Sequence, residues 1–125
     1  MKVLLDTSVW IRHFRESNSG VVDLLEQQQA VSHMFVVGEL ACGSLKKRIE
    51  TLIDLQALPL LPIVSTEEVM HMIESRQLYS RGIGLVDAQL IASVLLTPDS
   101  SLWTVDERLE RVASDLGISY RSTDS

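Results

Sequence analysis

Lys2-Val3-Leu4-Leu5-Asp6-Thr7-Ser8, followed by Val9, Trp10, Ile11 and Phe14, is the stretch that decides the fold. Val3-Leu4-Leu5 forms a short continuous apolar run, the pattern of a strand buried on both faces of a parallel sheet. It stops at three polar residues whose side-chain oxygens suit the start of a helix. The apolar residues beyond them recur at helical spacing, not in alternation. Strand leading directly into helix is the opening of a βαβ unit, and the rest of the chain continues the alternation.

A loop through Asn18, Ser19 and Gly20 precedes a second helix with Val21, Leu24, Leu25 and Gln28 along one side, and Ala30-Val31-Ser32 reads as a weak second strand. Phe35 to Leu45 is helical, as is about Lys46 to Leu58, with Ile49, Leu52, Ile53 and Leu55 as the buried stripe of the latter. Leu60 to Val64 reads as a short strand despite Pro62, and so as an edge or poorly paired element, with Pro59 and Pro62 as punctuation. Ser65-Thr66-Glu67-Glu68 is a capping box that opens a helix running to about Leu78. After a turn at Arg81-Gly82-Ile83-Gly84, a helix from Leu85 to Leu96 is stopped by Pro98. Leu102-Trp103-Thr104-Val105 is a strand, Asp106 to Leu116 a helix closed by Gly117, and Ile118-Ser119-Tyr120 a last strand. The polar tail from Arg121 to Ser125 is expected to fray. The pattern predicts one domain over residues 1–125, a three-layer α/β/α sandwich around a central parallel sheet.

The chain has 125 residues, 46% hydrophobic and 22% charged, which fits a single globular core and excludes a disordered chain. With 11 bases against 17 acids its net charge is −6, which excludes coating of nucleic acid through general basicity but leaves room for a local basic groove. The lone cysteine, Cys42, cannot form an internal disulfide and fits a reducing compartment. No apolar run approaches the roughly 18 residues that span a bilayer. Asp6 interrupts the apolar stretch a signal peptide would need, so a soluble cytoplasmic protein is expected.

Four acids stand where solvation alone does not account for them. Asp6 ends the first strand, beyond whose carboxyl end open parallel sheets bind ligands, although it could equally cap the following helix. Glu39 lies within Val36-Val37-Gly38-Glu39-Leu40-Ala41 and either lines a narrow exposed stripe or points into a polar cavity. Asp87 interrupts an apolar helix in its first turn, where the helix dipole would stabilise it by about 0.3–1 kcal/mol. Asp106 follows the late strand at another strand-to-helix junction, where capping is again the simpler role. Two acids at strand ends and two on apolar helices can nevertheless meet at one pole of the sheet. Carboxylates so gathered raise one another's pKa unless a cation neutralises them. Oxygen donors without His or Cys favour Mg²⁺ or Mn²⁺ over zinc. A site of that kind can activate water and stabilise the leaving oxygen in phosphodiester hydrolysis.

Leu4-Leu5-Asp6-Thr7-Ser8, Gly38-Glu39-Leu40, Gly84-Leu85-Val86-Asp87-Ala88 and Trp103-Thr104-Val105-Asp106 occur in this order over nearly the whole chain. They resemble the four motifs of PIN-domain ribonucleases, most nearly those of VapC-type toxins of toxin–antitoxin pairs. The resemblance implies a PIN-like fold and a Mg²⁺-dependent endoribonuclease, with Mn²⁺ able to substitute. It implies that Asp6, Glu39 and Asp87 hold the metal and that Asp106 binds it directly or through water. Thr7 or Ser8, and Thr104, would orient the carboxylates and water. It further implies a homodimer inhibited by a small cognate antitoxin. Glu107-Arg108-Leu109 departs from the family's usual Asp-Phe ending, so Asp106 and Glu107 both stand as candidates to complete the site.

Trp10, Ile11 and Phe14 form an apolar stripe that is core by default and, under the resemblance, an antitoxin groove or dimer contact. Arg12 and Arg15 follow the Asp6 strand closely enough to flank an RNA backbone, and arginines that stack on unpaired bases would suit a single-stranded loop. Lys46-Lys47-Arg48 reads as a solvated helix start. His13, His33 and His71 lie on separate elements without metal-ligand spacing and are expected to be structural or at the surface. Cys42, between Ala41 and Gly43, is expected to be a small buried side chain. A phosphoacceptor receiver domain would need a lysine after a late strand, yet the lysines are Lys2, Lys46 and Lys47. A phosphatase with an aspartate nucleophile would want a second Asp where Ser8 stands. The remaining alternative is a catalytically inactive PIN-like RNA-binding or dimerisation module, against which the presence of all four acids counts.

Overall fold

The computed structural model describes residues 1–121. Its elements run β1 (Lys2–Leu5), α1 (Thr7–Arg15), α2 (Ser19–Glu26), β2 (Ala30–Val31), α3 (Met34–Ala41), α4 (Arg48–Ala57), α5 (Thr66–Ser75), α6 (Leu85–Leu95), β3 (Ser100–Trp103) and α7 (Glu107–Asp115). The strands form a parallel sheet in the order β2-β1-β3. Val3, Leu4 and Leu5 are wholly buried because β1 is the middle strand, with helices covering both faces.

The chain moves from β1 to β2 in one direction and returns past β1 to reach β3. Around this sheet α1 packs on α3, α3 on α4 and α5 on α6, and α6 lies against β3. This is the three-layer α/β/α sandwich that the hydrophobic pattern predicts. The reversal of strand order falls at β1, so the carboxyl ends of β1 and β3 open onto the crevice where such sheets bind ligands.

Four local expectations are corrected. Leu60 to Val64 is not a strand; it meets the sheet at one bridge, Ser32 to Leu60. Pro62 has no N–H to continue the ladder, and Val64 turns its backbone N–H and C=O to the Gln89 side chain instead. Ile118 to Tyr120 likewise contributes a single bridge, Ser119 to Leu102. The late strand begins and ends two residues early, at Ser100–Trp103, because the chain leaves the ladder where Thr104 and Val105 turn toward Ser8. The helices expected to reach Leu45 and Leu78 stop at Ala41 and Ser75. Gln77 takes up a left-handed backbone (φ 55°), and Leu78 N–H closes back onto the Ile73 carbonyl. Ser65 caps α5 as expected, its hydroxyl accepting from Glu68 N–H. The expected fraying of the tail concerns residues beyond Arg121 and lies outside the described residues. Among those described, no helix is long and apolar enough to cross a membrane.

Candidate active site at the carboxyl edge of the sheet

Asp6 leaves β1 as the N-cap of α1, only 5% exposed. Its Oδ1 accepts from Ser8 Oγ (2.5 Å) and Val9 N–H (3.2 Å), and its Oδ2 accepts from Thr104 Oγ1 (2.6 Å). Thr104 in turn accepts from Asp106 N–H (3.0 Å), and Ser8 from Val105 N–H (3.1 Å). Both hydroxyl protons thus point at Asp6, and residues 96 positions apart are stitched across the ends of β1 and β3. Burial pushes the Asp6 pKa above its ordinary value, with the donors from Ser8, Thr104 and Val9 pulling the other way.

Glu39 falls in the last turn of α3 because that helix ends at Ala41. A carboxylate there opposes the helix dipole, so local helix stability does not account for it. It is exposed, and Oε1 accepts from Thr7 Oγ1 at 2.8 Å, which ties α3 to the first residue of α1. Asp87 stands in the first turn of α6, its Oδ2 accepting from Gly84 N–H at 3.3 Å. The turn that delivers it is clamped to α7: Arg81 pairs with Asp115 at 2.6 Å, and Gly82 (φ +81°) packs so closely that an added Cβ would lie 2.5 Å from Arg108 Cδ. Asp106 is the exposed N-cap of α7, Oδ1 accepting from Arg108 and Leu109 N–H at 3.0 Å each.

Asp87 lies within electrostatic reach of the other three acids. The Asp87 pKa is raised first by burial, against the Gly84 hydrogen bond, and then by the negative charges of Asp6, Asp106 and Glu39. Carboxylates from four separate elements therefore share one field, while Glu107 is not among the charges acting on Asp87. Each carboxylate is nevertheless turned to its own local donor. Among the described residues no three His, Cys, Asp or Glu side chains close into a ready-made cation cage. The donor chemistry is all oxygen with net repulsion, which fits a hard divalent cation that keeps part of its water shell.

The PIN domain family matches residues 3–115. The chain belongs to the PIN-domain family. It is 42% identical over 117 residues to Ribonuclease VapC32 of Mycobacterium tuberculosis, strain CDC 1551 / Oshkosh, covering 93% of this chain and 94% of that protein. The protein of the same name from strain ATCC 25618 / H37Rv matches to the same extent. This PIN domain is thus of the VapC type, and ribonucleases of the PIN family depend on divalent metal.

The other predicted residues separate. Trp10 is 3% exposed and part of the core, whereas Ile11 and Phe14 are 41% and 43% exposed on the outer side of α1. Arg12 is exposed on α1, and Arg15 lines a cavity that Glu39 also borders. His13 accepts from Asn18 N–H, His33 is buried and His71 is exposed, all away from a metal-ligand grouping. Cys42 is exposed, contrary to expectation, because it caps the shortened α3 instead of lying within a longer helix.

Sequence reading missed a buried polar strut behind this PIN site. His33 caps α3, Nδ1 accepting from Phe35 N–H (3.0 Å), and its Nε2 lies 2.9 Å from Ser93 Oγ. Ser93 bonds to the Pro62 carbonyl (2.7 Å), and Gln89 brackets the backbone of Val64 at 2.7 and 2.9 Å. The strut joins α3, which carries Glu39, to α6, which carries Asp87. The available signal was two polar residues one turn apart, Gln89 and Ser93, inside the apolar run Ala88 to Val94.

Proposed function

We propose that this protein is a metal-dependent endoribonuclease, the toxin of a toxin–antitoxin pair, and that it hydrolyses RNA phosphodiester bonds at the Asp6–Glu39–Asp87–Asp106 cluster. What carries the reading is the placement of acids from three other elements near enough to Asp87 for their charges to add to the effect of burial on its pKa. Such an arrangement works against folding and makes sense when a cation joins it. Kinship with Ribonuclease VapC32 supports RNA as substrate and a small cognate antitoxin as partner. We take the protein to act in the cytoplasm as a homodimer, on a structured or single-stranded RNA loop.

Asp6, Glu39 and Asp87 would hold the cation, with Asp106 reaching it directly or through water. Mg²⁺ is the expected ion and Mn²⁺ its substitute. The ion supplies positive charge that lowers the pKa of water and offsets charge on the reacting phosphate. Ser8 and Thr104 keep the Asp6 carboxylate in one orientation by donating to both of its oxygens, and Thr7 does the same for Glu39. Asp6 itself is buried at the end of the sheet, whereas Glu39 and Asp106 are exposed and would meet the RNA. We favour Asp106 over Glu107 to complete the group, since its charge acts on Asp87 and its backbone N–H donates to the Thr104 hydroxyl that in turn donates to Asp6.

Purified protein with Mg²⁺ should cleave cellular RNA, and a chelator should stop it. Asp6→Asn should not cleave. Mg²⁺ should raise the melting temperature of the wild-type protein, and by less in Asp6→Asn. RNA binding without cleavage by the wild-type protein would instead establish the inactive RNA-binding or dimerisation module.

A further inference from the structure

Beside the acidic cluster, α1 and the chain from the end of α3 into α4 enclose an open cavity of about 670 Å³, within the range of small-ligand sites. Ile11, Phe14, Arg15, Glu39, Leu45 and Lys46 are among its walls, so one acid of the catalytic group is also its border. The wall is a built feature. Lys47 is held in a left-handed conformation (φ 48°), Arg48 reaches the Gly43 carbonyl at 3.4 Å, and Thr51 Oγ1 donates to the Lys46 carbonyl at 3.3 Å. These contacts fix the segment that presents Lys46. Phe14 is exposed on one side and stacked on Trp10 on the other, with centroids 5.8 Å apart and planes inclined by 27°.

Charge identifies the occupant. The protein carries a net −6, yet two cations, Arg15 and Lys46, stand against the single acid Glu39 in the walls of this cavity. The ion pairs among the described residues are Met1 with Asp99 and Arg81 with Asp115, so neither Arg15 nor Lys46 is matched to an acid. A nucleotide offers what the walls lack, an aromatic plane for Phe14 and anionic phosphate for Arg15 and Lys46.

Resting on the ribonuclease reading, we propose that this cavity is a nucleotide subsite. It takes an unpaired base of the RNA beside the bond to be cut, stacked on Phe14, with an adjoining phosphate on Arg15 and Lys46. A paired base cannot enter without leaving its duplex, so the site selects single-stranded RNA. Phe14 is a specificity residue that acts on binding, and the cleavage chemistry stays with the four acids.

The test uses a labelled single-stranded RNA pool of random sequence and the same pool annealed to its complement. Binding is read by anisotropy in the Asp87→Asn protein with Mg²⁺, and cleavage in the otherwise wild-type protein. Phe14→Leu, which keeps apolar bulk but not the ring, should weaken single-strand binding roughly tenfold and raise KM correspondingly with kcat unchanged. Phe14→Tyr should restore both, Lys46→Gln should weaken binding and reduce its salt dependence, and duplex binding should be the same in every variant. Cleavage by the wild-type protein with equal KM in Phe14→Leu overturns the subsite and leaves the ribonuclease standing. Loss of binding to a small cognate antitoxin, with RNA affinity unchanged, assigns the cavity to a protein partner and also overturns it. Failure of the wild-type protein to cleave or bind any RNA overturns the ribonuclease reading and the subsite together.

Discussion

Asp87→Asn is expected to reduce RNA cleavage by roughly 10²–10³-fold, the scale seen when one preorganised electrostatic group is removed from a reacting centre. The same substitution should raise the melting temperature of the metal-free protein at neutral pH. The sign follows from linkage. The folded-state pKa of Asp87 lies above its ordinary value of 3.8 through burial and three neighbouring acids. Its favourable contribution is complete below that value and is lost as pH rises through the folded pKa, so at neutral pH the ionised group opposes folding. Asn retains an oxygen for Gly84 N–H and removes the charge. Opposite movements of activity and metal-free stability are the signature of a functional acid; a structural acid would lose both. Cleavage assays and thermal melts on the same preparation check the pair, and full cleavage by Asp87→Asn with Mn²⁺ present would reject the assignment.

The second large effect is on stability. Gln89→Ala should lower the unfolding free energy by about 2–4 kcal/mol, measured by urea titration, because Val64 N–H and C=O are left without partners next to a buried helix. That is a sizeable share of the 5–15 kcal/mol typical of a domain. Gln89→Leu, which refills the volume, should recover little of the loss, and full recovery would show that packing alone mattered. Acidification should probe the other end of the same strut. Burial holds the His33 pKa below its ordinary 6.5, and Nδ1 already accepts from Phe35 N–H. The unfolded chain therefore takes up the proton first, and stability should fall as pH drops from 6.5 toward the lower folded value. His33→Asn, which can still cap α3, should lack that loss. Asp6 and Asp87 act in the opposite sense as they protonate, so the comparison between the two proteins isolates the histidine.

Much of the arrangement was legible because strong local signals agreed with tertiary demands. Val3-Leu4-Leu5 could only be an interior strand, and a carboxylate at its end falls where a parallel sheet binds ligands. Glu39 and Asp87 were conspicuous as charges on apolar helices, and their convergence follows from the fold those helices build. Periodicity fails where a segment belongs to the sheet through one residue. Leu60 and Ser119 each make a bridge and no more, and the five-residue run from Leu60 does not reveal that Pro62 prevents the rest. Ser100 and Ser101 open β3 without an apolar signal because pairing with Lys2 and Val3 decides it. The donors that orient the acids were identified as hydroxyls, but their assignments depend on pairs such as Thr7 with Glu39 and Thr104 with Asp6, 32 and 98 residues apart. Ser8 and Thr104 both serve Asp6, and Thr7 alone serves Glu39. The split of the α1 stripe, Trp10 inward and Phe14 outward, needed the neighbouring α4 to be in place.

Site-resolved titration of the Asp87 carboxyl by NMR, in metal-free protein and again with saturating Mg²⁺, probes the crowding of charge on which the whole account depends. Asp87 should titrate above 3.8 without metal and move down when the ion is added. An ordinary titration curve in both conditions would show that the four acids do not form a common cation site.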